Sequence, residues 1–445
     1  MNDRHLLIVH TAGDPAVFAH RLKSLGFRLS LIKKRPTDAD RSAFDHVFDC
    51  DYQQGAPDFL ACVEAVNRNA KVDGVLSFSE SGVIPVSLAS QHLGLAGNSM
   101  SAAIRARNKF LMRNAFAAAG LENPKYAVVS SADDVVARLH EWGGEAVLKP
   151  LSGSSSYGVV RLSPSDSYAK VAEVYSTVVD YIRDYRALNS AYPFEFWLPD
   201  ETYGVDPSDV FDPESALLLE SFIQGQQVSV DGMISGDTIS CFGVIEIERI
   251  KDPRYFLEAE SWMPTRLGTD KEEEIEVVAA RATRALGLRR GGFHCELKVS
   301  AEGITVIEVA ARRGADNVSD FVLKTTGVDV YAEAARLACG EHREHASAAP
   351  NCAMGMRYFL PPSSGRIDRV NGLEAIRRDP RVSELVIEFE PGAMVEAPPD
   401  GYEFLGYLSV TGIDRDDATR VLDELCAQVE FHIVPEVAAA MEKVV

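Results

Sequence analysis

The stretch GFHCELKVSAEGITVIEVAARRGAD, residues 292–316, says most about the fold. Two runs of alternating apolar and polar residues, one through Glu296 and one through Glu308, flank Ala301-Glu302-Gly303. Alternation is the period of a strand, and a three-residue loop with glycine in its left-handed position is a common hairpin connection. In that register Ser300 faces Ile304 and Glu296 faces Glu308, on one side of the sheet and about 5 Å apart. Two carboxylates so placed repel unless a cation lies between them, and hard oxygen ligands suit Mg²⁺. Arg312, an even number of residues beyond Glu308, points to the same side while the strand continues. Its guanidinium could grip carboxylate or phosphoryl oxygens with two hydrogen bonds, and Asp316 could hold an ammonium. His294 and Cys295 are strand neighbours on opposite faces, which argues against a Cys–His nucleophile pair.

Three further segments supply chemistry. In LKPLSGSSSYGVV, residues 148–160, Lys149 ends an apolar strand and a Gly/Ser loop follows. Such a loop lets backbone N–H groups converge on an anion, and the lysine adds a point charge for phosphate. The lysine precedes the loop, so this is not the GxxxxGK[ST] arrangement. In LLLESFIQGQQVSVDG, residues 217–232, an apolar strand ends in Glu220-Ser221-Phe222-Ile223, whose main-chain groups could read the edge of adenine. SAAIRARNKFLMRNAFAAAG, residues 101–120, reads as one helix with Ile104, Leu111, Ala115 and Ala118 on a stripe and Gly120 as its stop.

Working outward, the first hundred residues alternate strands (HLLIVH, FRLSLIKK, VDGVLSFSE) with helices such as DFLACVEAVNRN. That alternation implies a parallel sheet with helices on both faces, and ligands bind at the strand ends of such sheets. Glu80 stands at one such end. After Pro124 a second unit of strands and helices begins. Residues 192–215, rich in Pro, Asp and aromatic side chains, read as an irregular excursion, and a helix is expected from Val318 to Leu337. EHREHASAAPN reads as a linker, followed by short strands and a helix from Arg415 to about Val429.

Composition narrows the function classes. Of 445 residues, 46% are hydrophobic and 25% charged, ordinary for a globular chain. Acids outnumber bases 66 to 45, a net charge of −21. So acidic a surface repels phosphate backbones and anionic lipid, so neither a nucleic-acid partner nor a membrane is expected. No apolar run is long enough to span a bilayer, and MNDRHLLIVHTAGDP lacks the pattern of an export signal. The seven cysteines are scattered without a CxxC pair, so neither a disulfide framework nor a structural zinc is expected, and a reducing cytoplasm is the default location.

Taken in order, NKFLMRNAFAAAGL, AVLKPLSGSSSYGVV, LLLESFIQGQQVSVDG, GFHCELKV and TVIEVAARRGAD resemble the ATP-grasp superfamily. The tail, with PGAMV, FLGYLSVTG and a final helix, resembles the C-terminal domain of its carboxylate–amine ligases, and within those the dipeptide-forming L-amino acid ligases, a class that includes antibiotic-biosynthesis enzymes. The resemblance implies an α/β, α+β overall, ATP-grasp fold with an N-terminal Rossmann-like parallel domain and a C-terminal α+β extension. Its divisions would be 1–97, 98–222 (central and small nucleotide-binding part), 223–345 (catalytic part) and 346–445. It also implies an ATP- and Mg²⁺-dependent enzyme, with Mn²⁺ as an alternative. Such an enzyme activates one carboxylate as an acylphosphate, joins it to an amine and releases ADP and phosphate. The partners implied are small amino-acid-like substrates, and a homodimer is the default assembly.

Carried over by residue, the resemblance puts Lys109 and Lys149 on the ATP phosphates and Ser154, Ser155, Ser156 and Gly158 in the loop above them. It puts Glu220, Phe222 and Ile223 beside adenine and Gln227 at the ribose. Glu296 and Glu308 would hold the metal. Arg312 and Lys149 would be catalytic, and Glu80, Ser261, Trp262, Arg312, Gly314 and Asp316 would meet substrate. Ala310 stands where many members carry a metal-binding Asn, and Tyr157 where a basic residue is frequent. The alternatives are a ligase for a non-amino-acid carboxylate or bicarbonate, and an inactive nucleotide-binding regulator.

Overall fold

Buried β-branched and leucine runs set the first layer. His5–Val9, Arg28–Lys33, His46–Asp49 and Gly74–Leu76 form a parallel four-stranded sheet. Leu7, Val9 and Ile32 pack against Phe59, Val63 and Val66 on one face, and Leu6, Ile8 and Leu29 against Phe18, Leu22 and Tyr331 on the other. Both faces are covered by helices, as the sequence pattern implies. The short His46–Asp49 strand escaped sequence reading because HVFD is too brief to show a period. The computed structural model describes residues 4–11, 13–50, 56–154, 156, 158–188, 211–212, 215–249, 256–315, 317–341, 350–398, 401 and 404–435. Most of the expected excursion at 192–215, and Ser155, Tyr157 and Asp316, lie outside the described residues.

The chain divides into two compact units, residues 1–244 with 267–349, and residues 245–266 with 350–445. Besides the parallel sheet, the first unit holds an antiparallel sheet ordered Tyr126–Val129, Leu217–Ser221, Ala146–Pro150, Val160–Leu162. The helices Ala132–Trp142 and Tyr168–Leu188 cover it through Val135, Leu139, Val171, Val174 and Val178. The first unit also holds the antiparallel strands Ile304–Ala310, Arg290–Val299 and Gln226–Ser235, with the first half of Thr238–Arg249. Val228, Val230, Cys295, Leu297 and Val309 point into a core shared with the helix Thr269–Ala285.

In the second unit, Glu258–Met263, Ala353–Phe359, Gly406–Gly412 and Val382–Ile387 are antiparallel neighbours. The helix Arg415–Cys426 packs on them through Ala418, Val421, Leu422 and Leu425. No helix among the described residues is long and apolar enough to cross a membrane.

Three expectations from sequence change. The helix expected across 101–120 is two helices, Met100–Arg107 and Lys109–Ala118. Asn108 leaves helical geometry (φ −108°, ψ 113°), and its carboxamide oxygen accepts from the N–H groups of Phe110 and Leu111. It thus ends one helix and caps the next. The helix expected from Val318 to Leu337 is likewise two, Val318–Thr326 and Val330–Ala338, divided at Gly327, whose φ of +79° suits glycine. The cysteines are not all reduced, because Cys50 and Cys62, with Cα atoms 6.5 Å apart, form a disulfide.

Candidate active site

The hairpin at Glu296 and Glu308 forms, by a different route from the one the loop length suggests. The two residues are directly paired across antiparallel strands. Near the turn, however, Val299 pairs with Ile304, one residue out of the expected register, and Ser300 donates its N–H to Gly303 O instead of facing Ile304. A β-bulge between Leu297 and Glu296 takes up one extra residue, Ile307, and restores the pairing at the two glutamates. The chain therefore spends one bulge residue to place both carboxylates opposite each other.

The polar face of this sheet extends to the neighbouring strand. Gln227, Ser229 and Asp231 pair in register with Lys298, Glu296 and His294. Gln227 Nε2 donates to Glu296 Oε2 at 2.9 Å, so the residue expected at the ribose holds a carboxylate of the pair. His294 Nδ1 lies 2.7 Å from Asp231 Oδ2, and its Nε2 lies 3.6 Å from Glu296 Oε1. Burial opposes charge on this imidazole, but Asp231, helped by Glu296, raises its pKa to about 10. Asp231 Oδ1 also accepts the N–H of Gly314 at 2.6 Å. A side chain at Gly314 would put its Cβ 2.9 Å from His294 Nδ1 and 2.7 Å from Val318 Cγ1, so the backbone approach needs glycine. Ala310 faces His294 across the hairpin.

Lys109, Met112 and Arg113, on one face of the Lys109–Ala118 helix, lie along the outermost strand of this sheet, Ile304–Ala310. Lys109 Nζ sits 2.9 Å from Glu308 Oε2 and donates to Gly153 O at 3.3 Å. Although burial opposes charge on Glu308, Lys109 keeps its pKa down at about 2. The Asn108 break gives Lys109 its position as the first residue of the helix. The Gly/Ser loop is tied to the same junction, since Lys109 N–H donates to Leu151 O and Ser152 Oγ to Arg107 O. Within the loop, Gly158 has φ +72° and Ser156 φ +55°, and Ser154 is half-buried.

Lys149, buried at the end of Ala146–Pro150, has its Nζ 2.6 Å from Glu220 Oε2. Arg113 Nε donates to Glu220 Oε1 at 2.6 Å. Burial opposes ionisation of Glu220, yet Arg113 and Lys149 together hold its pKa at about 2. Burial pushes the Lys149 ammonium down, against the pull of Glu220. The Glu220 side chain, expected beside adenine, thus turns into an ion triad and is 3% exposed. The N–H groups of Ser221 and Phe222 are taken by Lys125 O and Glu145 O, so two of the main-chain donors expected to read adenine are already used. The Arg161 guanidinium lies 4.0 Å over the Phe222 ring, and Ile223 follows half-buried.

Glu80 does not sit directly after its strand. It opens a short helical turn, Glu80–Gly82, beyond Gly74–Leu76. Its carboxylate lies between two guanidiniums, Arg107 and Arg312, with Arg312 Nε 2.5 Å away. Burial opposes the charge, and Arg312 and Arg107 keep the Glu80 carboxyl below its usual range. Arg313 points the other way and stacks 4.5 Å over the Tyr331 ring. Sequence reading missed Arg107, Arg113, Asp231 and His294 as site residues. Their signal was spacing, since Arg113 lies one helical turn from Lys109, and Asp231 and His294 lie an even number of strand residues from Gln227 and Glu296.

The second unit holds Ser261 and Trp262. Trp262 is 1% exposed, stands in that unit's core against Gly355, donates to Glu260 Oε2 at 2.9 Å, and carries the Arg415 guanidinium 3.9 Å over its ring. Ser261 is buried on the same strand.

The donor chemistry fits a hard divalent cation. Two facing carboxylates, balanced on one side by Lys109, leave the remaining positions to water and phosphate oxygens, the usual manner of Mg²⁺ at nucleotide sites. Glu296 and Glu308 would hold it. Among the described residues no cluster of three His, Cys, Asp or Glu side chains is arranged to enclose a metal by itself.

Residues 201–320 match the ATP-grasp domain, and residues 357–434 match the L-amino acid ligase C-terminal domain 2. The chain is 26% identical to alanine–anticapsin ligase of Bacillus subtilis over 58% of its own length and 52% of that protein. It is 24% identical to Carnosine synthase 1 of Homo sapiens over 76% of its own length and 40% of that protein. It thus spans about half or less of these curated relatives. The crystal structure of an L-amino acid ligase from Bacillus licheniformis superposes with a TM-score of 0.79 at 18% identity, covering 98% of this chain and 100% of that one. The chain therefore combines a segment matching the ATP-grasp domain with one matching the L-amino acid ligase C-terminal domain 2, on a fold shared with a solved L-amino acid ligase.

Proposed function

We propose that this chain is an ATP-dependent, ADP-forming ligase that joins the carboxylate of one amino acid, or amino-acid-like acid, to the amine of another. The observation that carries the reading is Lys109, whose ammonium touches both Glu308 of the facing carboxylate pair and the Gly153 carbonyl of the Gly/Ser loop. A metal-type carboxylate pair and a phosphate-type loop therefore share one cation.

In this reading Lys109 and Lys149 neutralise the ATP phosphates, and Ser154, Ser155, Ser156 and Gly158 close over them. Glu220 keeps Lys149 charged against burial and in place. Phe222 and Ile223 border the base, and Gln227 steadies Glu296. ATP-grasp enzymes use Mg²⁺; Glu296 and Glu308 would hold it, and it would supply positive charge to offset the charge developing on the transferred group. Arg312 exchanges Glu80 for the oxygens of the activated carboxyl as negative charge develops there. Glu80, released from Arg312, then faces the substrate's ammonium, with Gly314 and Asp316 nearby in sequence. Attack of the second amine on the acyl carbon expels phosphate and leaves an amide.

The acylphosphate step is tested with an acid substrate carrying ¹⁸O in its carboxyl group. Transfer of one ¹⁸O into the released phosphate is expected. Unlabelled phosphate alongside product would overturn the step.

A further inference from the structure

We infer that Arg113 is a positioning residue that fixes the β-bulge on which the Glu296–Glu308 pair depends, and couples that pair to Lys149. The inference rests on the proposed ATP-and-metal reading of the site.

Among the described residues the strand Ile304–Ala310 is the outermost of its sheet, so its outer edge presents main-chain groups with no described strand beside them. The Lys109–Ala118 helix meets that edge. Met112 Sδ accepts the Val309 N–H at 3.4 Å. Arg113 Nη1 donates to Val306 O at 2.6 Å, and Arg113 Nη2 donates to Ile307 O at 2.7 Å. These two consecutive carbonyls bracket the bulge, because Val306 is the last residue paired in the turn-side register and Ile307 is the extra residue. Without the bulge, the register of Val299 with Ile304 would continue and set Ile307, not Glu308, opposite Glu296. Glu308 would then point to the other face, since side chains alternate along a strand.

A planar guanidinium is suited to this task. It donates from both terminal nitrogens to two adjacent carbonyls while its Nε and Nη2 reach Glu220, at 2.6 and 3.3 Å. Arg113 is 1% exposed, so no water substitutes for it. Glu220 in turn contacts Lys149. One side chain thus ties the metal-type hairpin to the lysine assigned to phosphate. A lysine at position 113 keeps the charge beside Glu220 but cannot satisfy two carbonyls and a carboxylate in one plane.

The test measures Mn²⁺ binding by electron paramagnetic resonance, with a non-hydrolysable ATP analogue present, in the full chain and in Arg113→Lys, Arg113→Met and Glu308→Gln. Nucleotide affinity without divalent metal and thermal midpoint are measured alongside. Outer groups that orient metal ligands characteristically change metal affinity 10–100-fold when removed. Arg113→Lys is expected to weaken Mn²⁺ binding about 10-fold or more, while metal-free nucleotide affinity stays within about threefold and the protein remains folded. Arg113→Met should lose both, because Glu220 and Lys149 are left without their third partner. Wild-type Mn²⁺ affinity in Arg113→Lys would overturn the inference while leaving the site reading intact. So would an equal loss of metal and metal-free nucleotide binding in that variant. Absence of Mn²⁺ binding in the wild-type chain, or unchanged binding in Glu308→Gln, would overturn the site reading and the inference with it.

Discussion

Replacing Glu220 by glutamine keeps the shape of the side chain and removes its charge. In the native protein Glu220 accepts from Arg113 and Lys149 at 2.6 Å each, and all three side chains are almost fully buried. The two cations overcome the cost of burial and bring the carboxyl from 4.5 to about 2. At 1.36 kcal/mol for each tenfold change in proton affinity, that difference is worth ~3 kcal/mol. An independent rule gives a similar size, since breaking a buried ion pair by removing one partner costs ~3–5 kcal/mol. Glu220→Gln should therefore destabilise the protein at pH 7 by ~3 kcal/mol or slightly more, measured by urea unfolding followed by circular dichroism. The sign of the pH dependence follows from the depressed value. The stabilisation is present above pH 4.5 and is lost as pH falls toward 2. Wild type and variant should thus converge as pH is lowered through that window. A destabilisation below ~1 kcal/mol at pH 7, or a difference that stays constant down to pH 3, would refute the argument.

Glu308→Gln and Lys149→Ala should each lower turnover more than about 100-fold in a phosphate-release assay while the thermal midpoint shows a folded protein. His294 should remain a doubly protonated imidazolium at pH 8 in ¹⁵N NMR and titrate near 10, whereas in Asp231→Asn it should titrate below about 7. Because its pKa is raised in the fold, the stability it contributes is complete below 6.5 and lost as pH rises through about 10, a loss Asp231→Asn should not show. Alkylation of the denatured, unreduced chain should label five cysteines, and seven after reduction, if Cys50 and Cys62 are joined.

Much of this architecture was legible because it rests on periodicity. The parallel sheet, the hairpin and the final helix follow from spacing of apolar residues, and Glu296 and Glu308 were named as a facing pair. The route was not legible. The bulge at Ile307 is selected by Arg113 donating to two carbonyls from a helix far away in sequence, and no strand pattern encodes that. The break at Asn108 was hidden because its flanks both carry good helical stripes, and an asparagine that caps through its own carboxamide looks like any polar helix residue. The protein partners of Glu220 and Gln227 were not legible because side-chain contacts across a sheet depend on three-dimensional register, whereas a motif shows only where the residue stands. The disulfide was missed because Cys50 and Cys62 approach only through the packing of a strand end against a helix.

The central claim is that this chain couples ATP to amide formation between amino-acid-like substrates. It is tested most directly by measuring phosphate release with ATP and Mg²⁺ across a matrix of amino-acid pairs, with mass spectrometry on every well that responds. The account predicts substrate-dependent phosphate together with a product lighter by one water than its two components. ATP binding without phosphate release or condensed product, for any amino acid or simple carboxylate paired with any amine, would contradict it.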